Sequence, residues 1–133
     1  MRKNIKNRAN TYDKILQAAY DVFLFYGFHG TTIQEIAISA NVNKAAVHYY
    51  FRSKENLYSK IIEYVFNFTI YSDFTDKTTS ENNKKVIWFL TTELYNNSDL
   101  LKKTLKSLYP NEIEKRLFYI NRWLQYVPLY EYS

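Results

Sequence analysis

Residues 31–54, TTIQEIAISANVNKAAVHYYFRSK, constrain the fold more than any other stretch. They spell two short helices joined by a tight turn, with a third helix starting directly behind. Thr32 and Glu35 form a T-x-x-E capping box, which predicts a helix with Thr32 as its N-cap. Ile33, Ile36 and Ala37 then recur at helical spacing and give one apolar stripe. This helix should end near Asn41, because asparagine tolerates the left-handed conformation that a tight turn needs, though less well than glycine. Val42 is placed to plug the inside of the turn. Asn43 is a good N-cap for a second helix over residues 44–50. That helix has only about two turns and cannot stand alone in water. Val47 and Phe51 are four apart and face a common core. The other side presents Lys44, Ala45, Ala46, His48, Tyr49 and Tyr50.

A short, propped helix with small residues at its start and hydrogen-bonding aromatics along it suits the major groove of DNA, which is wide enough for one helix. Ala45 and Ala46 permit close approach and contact with a thymine methyl. His48, Tyr49 and Tyr50 can reach phosphates or base edges. Lys44 directly follows the cap Asn43, and Lys54 directly follows Ser53, the expected cap of the next helix. A cation at the positive end of a helix dipole is unfavourable by about 0.3–1 kcal/mol. A phosphate would reverse that sign, because amides and lysine would converge on one anion. The plainer alternative is two exposed lysines tolerating poor positions.

The net charge of +5 is unevenly placed. Residues 1–54 hold eight basic residues (Arg2, Lys3, Lys6, Arg8, Lys14, Lys44, Arg52, Lys54) against three acidic ones (Asp13, Asp21, Glu35), whereas residues 55–133 hold ten of each. The whole excess therefore lies in the part with the two short helices, the electrostatic footprint of a DNA-binding end joined to a neutral end. Arg2, Lys3, Lys6 and Arg8 supply much of it; they can track a DNA backbone or simply form a solvated tail.

The remainder reads as helical throughout, with no strand pairs and no repeats. A first helix is expected from near Thr11 to Tyr26, with Ile15, Ala18, Ala19, Val22, Phe23 and Tyr26 as its apolar stripe and Gly27 as its stop. Phe28 should pack back on it, His29 is a loop residue, and Gly30 gives the chain freedom to turn into Thr31. A fourth helix should run over residues 54–71 on Leu57, Ile61, Tyr64, Val65, Phe68 and Tyr71, as a lever between two halves. Residues 72–80 are the best break, with Ser80 able to cap the next helix. Further helices are expected over residues 81–95, 99–109 with Ser98 as cap, and 110–126, where Pro110 marks a start and Pro128 a stop. The expected class is all-α: a three-helix unit over residues 1–53, joined by the fourth helix to a small helical region over residues 54–133.

The pattern Ile15-Leu16-x-Ala18-Ala19 with Phe23 and Gly27, then Thr31-Thr32-x-x-x-Ile36-Ala37, Val42, Tyr49-Tyr50-Phe51 and Ser53-Lys54-Glu55-x-Leu57 resembles the helix-turn-helix DNA-binding domain of the TetR family of bacterial transcription regulators. The likeness covers about residues 10–60. Asn41 stands where the family usually has Gly, Asn43 where Ser is common, and His48 where many members have Tyr. The resemblance implies a cytoplasmic regulator, usually a repressor, that binds double-stranded DNA as a homodimer. It also implies a C-terminal half with a dimer surface and a pocket for a small-molecule effector, whose binding moves the fourth helix. By the family pattern the C-terminal half is shortened. Its many aromatics suit an apolar pocket and an ordinary core alike.

Other classes fit poorly. There is no Cys, hence no disulfide framework, thiolate metal site or Cys nucleophile. The two histidines fall within the motif region, which leaves none for a Ser-His-Asp set. Gly27 and Gly30 are the only glycines, too few for a phosphate-cradling loop or a dinucleotide fingerprint. No cluster has metal-ligand spacing, and no run approaches the ~20 apolar residues of a membrane span. The expectation is a non-enzyme with no cofactor beyond an unidentified effector. Two readings follow. In the first, the chain is a ligand-responsive repressor: Thr31, Thr32, His48, Tyr49 and Lys54 hold phosphates, while Lys44, Ala45, Ala46 and Tyr50 face bases. In the second, it is a shortened module that pairs with another regulator without binding DNA alone.

Overall fold

The computed structural model describes residues 2–69 and 81–126, with the side chains of residues 10–67, 84–118 and 121–122 among them. Within the described residues there are seven helices and no strand, in the order α1 (Arg2–Tyr26), α2 (Ile33–Ala40), α3 (Lys44–Phe51), α4 (Lys54–Thr69), α5 (Glu81–Asn96), α6 (Ser98–Leu108) and α7 (Ile113–Tyr126). The class is all-α, as the periodicities require. The break expected at residues 72–80, the Ser80 cap and the Pro128 stop lie outside the described residues. The chain divides into two compact units, Met1–Ile61 and Ile62–Ser133.

In the first unit, α1 packs on α2 and α2 on α3. Helix α1 starts at Arg2, well before the Thr11 expected from sequence, since residues 2–10 contain no Gly or Pro to break it. Ile15, Ala18, Ala19 and Phe23 are buried as their spacing dictates, and Leu24 joins them. Tyr26, assigned to the same stripe, is instead exposed beside the still more exposed Phe25; the two rings meet edge-on at 4.7 Å. Gly27 ends the helix at φ 76°, a left-handed conformation that glycine adopts without a Cβ penalty. Gly30 serves differently from expectation. Its φ is not positive; a Cβ there would sit 2.4 Å from the Tyr26 carbonyl oxygen, so the position needs room. Phe28 does fold back, lying parallel to Phe23 at 6.4 Å.

The first turns of α4 belong to this unit. Leu57, Tyr58 and Ile61 are buried, and the Tyr58 ring meets Phe23 at 5.7 Å and Phe28 at 5.1 Å, both edge-on. These contacts explain why the boundary between units falls inside α4 and not before Lys54. Burial of large aromatics with edge-to-face geometry stabilises such a junction by about 0.5–1.5 kcal/mol per pair beyond the area term.

In the second unit, α5, α6 and α7 pack on one another. Val86, Ile87, Phe89 and Leu90 of α5 and Leu101 and Leu105 of α6 are buried, together with Ile62, Val65 and Phe66 from the later turns of α4. Tyr64, placed on the apolar face of α4 by spacing, is exposed instead. Ser98 is the first helical residue of α6, not its cap; Asn97 holds that position without a side-chain bond. Helix α7 begins at Ile113, after a turn through Pro110, in which the Glu112 amide donates to the Tyr109 carbonyl at 3.0 Å. Arg116 is 9% exposed. It is held by Glu112 Oε2 at 2.8 Å and by the Tyr109 ring, 4.2 Å from its guanidinium carbon.

Candidate nucleic-acid interface

Three polar caps build the helix-turn-helix. The Glu35 amide donates to Thr32 Oγ1 at 3.0 Å, and the Thr32 hydroxyl lies 3.1 Å from Glu35 Oε1, to which it donates. Thr32 is the N-cap expected of it, but the Glu35 carboxylate takes the Thr32 hydroxyl hydrogen and not the Thr32 amide of a full capping box. Asn41 sits at φ 57°, ψ 46°, the left-handed conformation expected of it, and the Val42 amide returns to the Ala37 carbonyl at 3.0 Å. Asn43 Oδ1 accepts from the Ala46 amide at 2.8 Å and starts α3. Thr32 and Asn43 satisfy amide donors, and the turn at Asn41 satisfies carbonyl acceptors, that the helices themselves leave open.

Helix α3 buries Val47 and Phe51 against the unit and turns its other side outward. Lys44, Ala45, His48 and Tyr49 are exposed, Tyr49 at 63%; Ala46 and Tyr50 are half-buried. At 100° per residue, the direction opposite Val47 and Phe51 falls on Ala45 and Tyr49, with Ala46 and Tyr50 on one flank and Lys44 and His48 on the other. His48 Nδ1 lies 3.3 Å from the Arg52 carbonyl, an acceptor, so this ring nitrogen carries the hydrogen in that contact. Arg52 ends the helix at φ 71°, ψ −45°, outside the usual left-handed well.

Helix α4 follows at once. The Asn56 amide donates to Ser53 Oγ at 3.1 Å, so Ser53 is the cap the sequence indicated, and Asn56 Nδ2 donates to the Phe51 carbonyl at 3.1 Å. One asparagine thus joins the end of α3 to the start of α4. Lys54 is half-buried, its ammonium 4.0 Å from the centre of the Phe28 ring.

Thr31 is the one site residue whose expected role the structure contradicts. Its side chain is 0% exposed, and its hydroxyl donates to the Gly27 carbonyl at 2.7 Å. It is a core residue that fastens α2 to the end of α1, because a hydroxyl beside the helix stop satisfies a terminal carbonyl. Thr32, by contrast, is exposed at the start of α2.

Sequence reasoning passed over two supports of this surface. Tyr12 of α1 stacks on Phe51 at 4.9 Å and meets Tyr50 edge-on at 5.9 Å. Phe28 was expected to pack on α1, but not to carry Lys54. The signal for Tyr12 was available: it precedes Ile15 and Ala19 at helical spacing. No group of three or more His, Cys, Asp or Glu among the described residues could hold a metal ion, and no described helix is long and apolar enough to cross a membrane.

Residues 15–61 match the family of bacterial regulatory proteins known as the tetR family. The N-terminal domain belongs to the tetR family. This is a family of regulatory proteins, not of enzymes, in agreement with the reading of the histidines and glycines. A negative regulator of the biofilm operon icaADBC, IcaR of Staphylococcus epidermidis, is 37% identical over 70 residues, which are 53% of this chain and 37% of that protein. The probable transcriptional regulator YttP of Bacillus subtilis is 31% identical over 106 residues, 71% of this chain and 49% of its own. Among solved structures, the hemolysin II transcriptional regulator HlyIIR is similar at 32% identity, with 87% of this chain and 65% of that one covered and a TM-score of 0.44. The chain spans about half the length, or less, of these curated relatives. The family model is confined to the tetR-type domain, and α3 is the second motif helix of that domain.

Proposed function

We propose that this chain is a sequence-specific DNA-binding transcriptional regulator of the repressing kind. It reads a palindromic operator as a homodimer in the cytoplasm and is released by a small-molecule effector held in its second unit. The observation that carries the reading is the open outer side of α3: Ala45 and Tyr49 point away from the unit on a helix whose opposite side is locked by Val47 and Phe51. A capped helix with small residues at its start and an exposed tyrosine suits the major groove. In this reading Lys44, Ala45, Ala46 and Tyr50 face bases. Thr32, His48, Tyr49 and Lys54 hold phosphates, with the Thr32 contact resting on the exposed start of α2. The basic excess of residues 1–54 supplies the sequence-independent attraction. Two copies of α3 read half-sites about 34 Å apart, one turn of DNA.

The test is a shift assay with the purified chain and its own upstream DNA, run from about 50 to 200 mM salt, with the mass in solution measured alongside. Affinity should fall by about a thousandfold or more across that range if six or more phosphates are contacted. The mass should be that of two chains, and two copies should load on one duplex. Absence of binding at low salt, together with a stable complex with a second regulator, would replace this reading with that of an interaction module.

A further inference from the structure

We propose that Tyr12, on α1 and outside the helix-turn-helix, is a positioning residue for base readout: its ring sets the orientation of Tyr50 on α3. The inference rests on the DNA-reading role of α3 proposed above and adds to it a residue that touches no base.

Four rings meet: Tyr12, Tyr50 and Phe51 touch one another, with Tyr50 tilted at 6.5 Å from Phe51, and Tyr49 lies beyond Tyr50. Phe51 is buried and anchors them. Tyr12 stacks against it at 4.9 Å with an interplanar angle of 29°, so Tyr12 is held by the core and not by solvent. From that seat it meets Tyr50 at 5.9 Å and 78°. Tyr50 in turn meets Tyr49 at 5.0 Å and 85°. Edge-to-face contacts are directional, because the positive ring edge seeks the negative face. An exposed tyrosine flips between rotamers within nanoseconds. Tyr50 is half-buried on the flank of the outer surface, and the Tyr12 ring favours the rotamer that keeps the two rings perpendicular. Its phenol is then presented in one direction before any duplex arrives. Pre-orientation of this kind favours the base edge that matches it and disfavours the others. Ile15, one turn further along α1, is wholly buried, so the backbone that carries Tyr12 is itself fixed.

The experiment uses the full chain. Duplexes are selected from a random library by the wild type, Tyr12→Leu, Tyr12→Phe, Tyr50→Ala and the Leu/Ala double variant. Tyr12→Leu should loosen base preference by about three- to tenfold, the worth of one aromatic pair. It should do so at the position that Tyr50→Ala loosens, with the double variant no looser than Tyr50→Ala. Tyr12→Phe keeps the ring and should keep the wild-type pattern. The proposal is overturned if Tyr12→Leu weakens all duplexes by one factor with preference intact, or loosens a position that Tyr50→Ala leaves alone. Side-chain couplings measured by NMR on the DNA-free wild type give an independent readout: Tyr50 should occupy one rotamer, and rotamer averaging there overturns the proposal whether or not any variant folds. Failure of the wild type to select any duplex, with Tyr50 held in one rotamer, would sink the DNA-reading role and leave the ring contact standing.

Discussion

The ammonium of Lys54 lies 4.0 Å from the centre of the Phe28 ring, so the first residue of α4 rests on the aromatic that follows the α1 stop. The contact holds a flexible side chain in place at the start of a helix, where a cation meets the unfavourable end of the dipole. Replacing Lys54 by Ala should weaken binding to all duplexes alike and lower the salt slope by about one. Stability should change by less than about 0.5 kcal/mol, because the lost ring contact and the relieved dipole penalty are of similar size and opposite sign. Lys54→Arg should keep both. Titrations at several salt concentrations, with thermal melts alongside, decide the matter.

Thr31 makes a different prediction. Its hydroxyl is spent inside the unit on the Gly27 carbonyl. Thr31→Val is close in shape and removes that bond, so stability should drop by about 1 kcal/mol. DNA affinity, measured well below the melting temperature, should not change. A fall in affinity and salt slope would return Thr31 to the phosphate contacts.

At Gly30 the limit is space. An added Cβ meets the Tyr26 carbonyl oxygen at 2.4 Å, and that oxygen is backbone and cannot swing aside. Gly30→Ala should destabilise by about 1–3 kcal/mol, because the added carbon at this exposed position forces a shift of the Tyr26 backbone. Denaturant unfolding of the two chains reads this directly.

Asn41 and Arg52, the two non-glycine residues with positive φ among the described residues, should respond unequally to glycine. Asn41, at φ 57° and ψ 46°, occupies the well that asparagine tolerates; Arg52, at φ 71° and ψ −45°, does not. Arg52→Gly should therefore raise the melting temperature more than Asn41→Gly does, through relief of strain of about 1 kcal/mol or more. Equal shifts would show that the Arg52 backbone is unstrained.

The parts of this fold that were legible in the sequence are those decided within one turn of chain. Thr32, Asn43 and Ser53 each accept from the amide three residues on, as their short polar side chains at helix starts announce. Asn41 and Gly27 stop their helices with the backbone conformations their side chains permit. What was not legible depends on which helix lies across from which. Thr31 looks like a surface hydroxyl until α1 and α2 are packed. Tyr26 and Tyr64 fit their apolar stripes by spacing, yet both are exposed. Arg116 lies at the helical register of Ile113 and Leu117, yet a single chain pattern does not say that Tyr109 and Glu112 will enclose a cation. The candidate surface was readable as a helix face; its props, Tyr12 and Phe28, come from another helix and its exit, and were visible only once the elements met.

The corner at Asn56 has a mechanical meaning. Its amide group and its backbone N–H clasp Phe51 and Ser53, the last residue of one helix and the cap of the next. Bending between α3 and α4 would have to break the Asn56 bond to Phe51, whereas the bond to Ser53 lies within the α4 cap. The Asn56 clasp ties the opening turn of α4 to the last residue of α3, so the corner is a stiffened joint and not a free hinge.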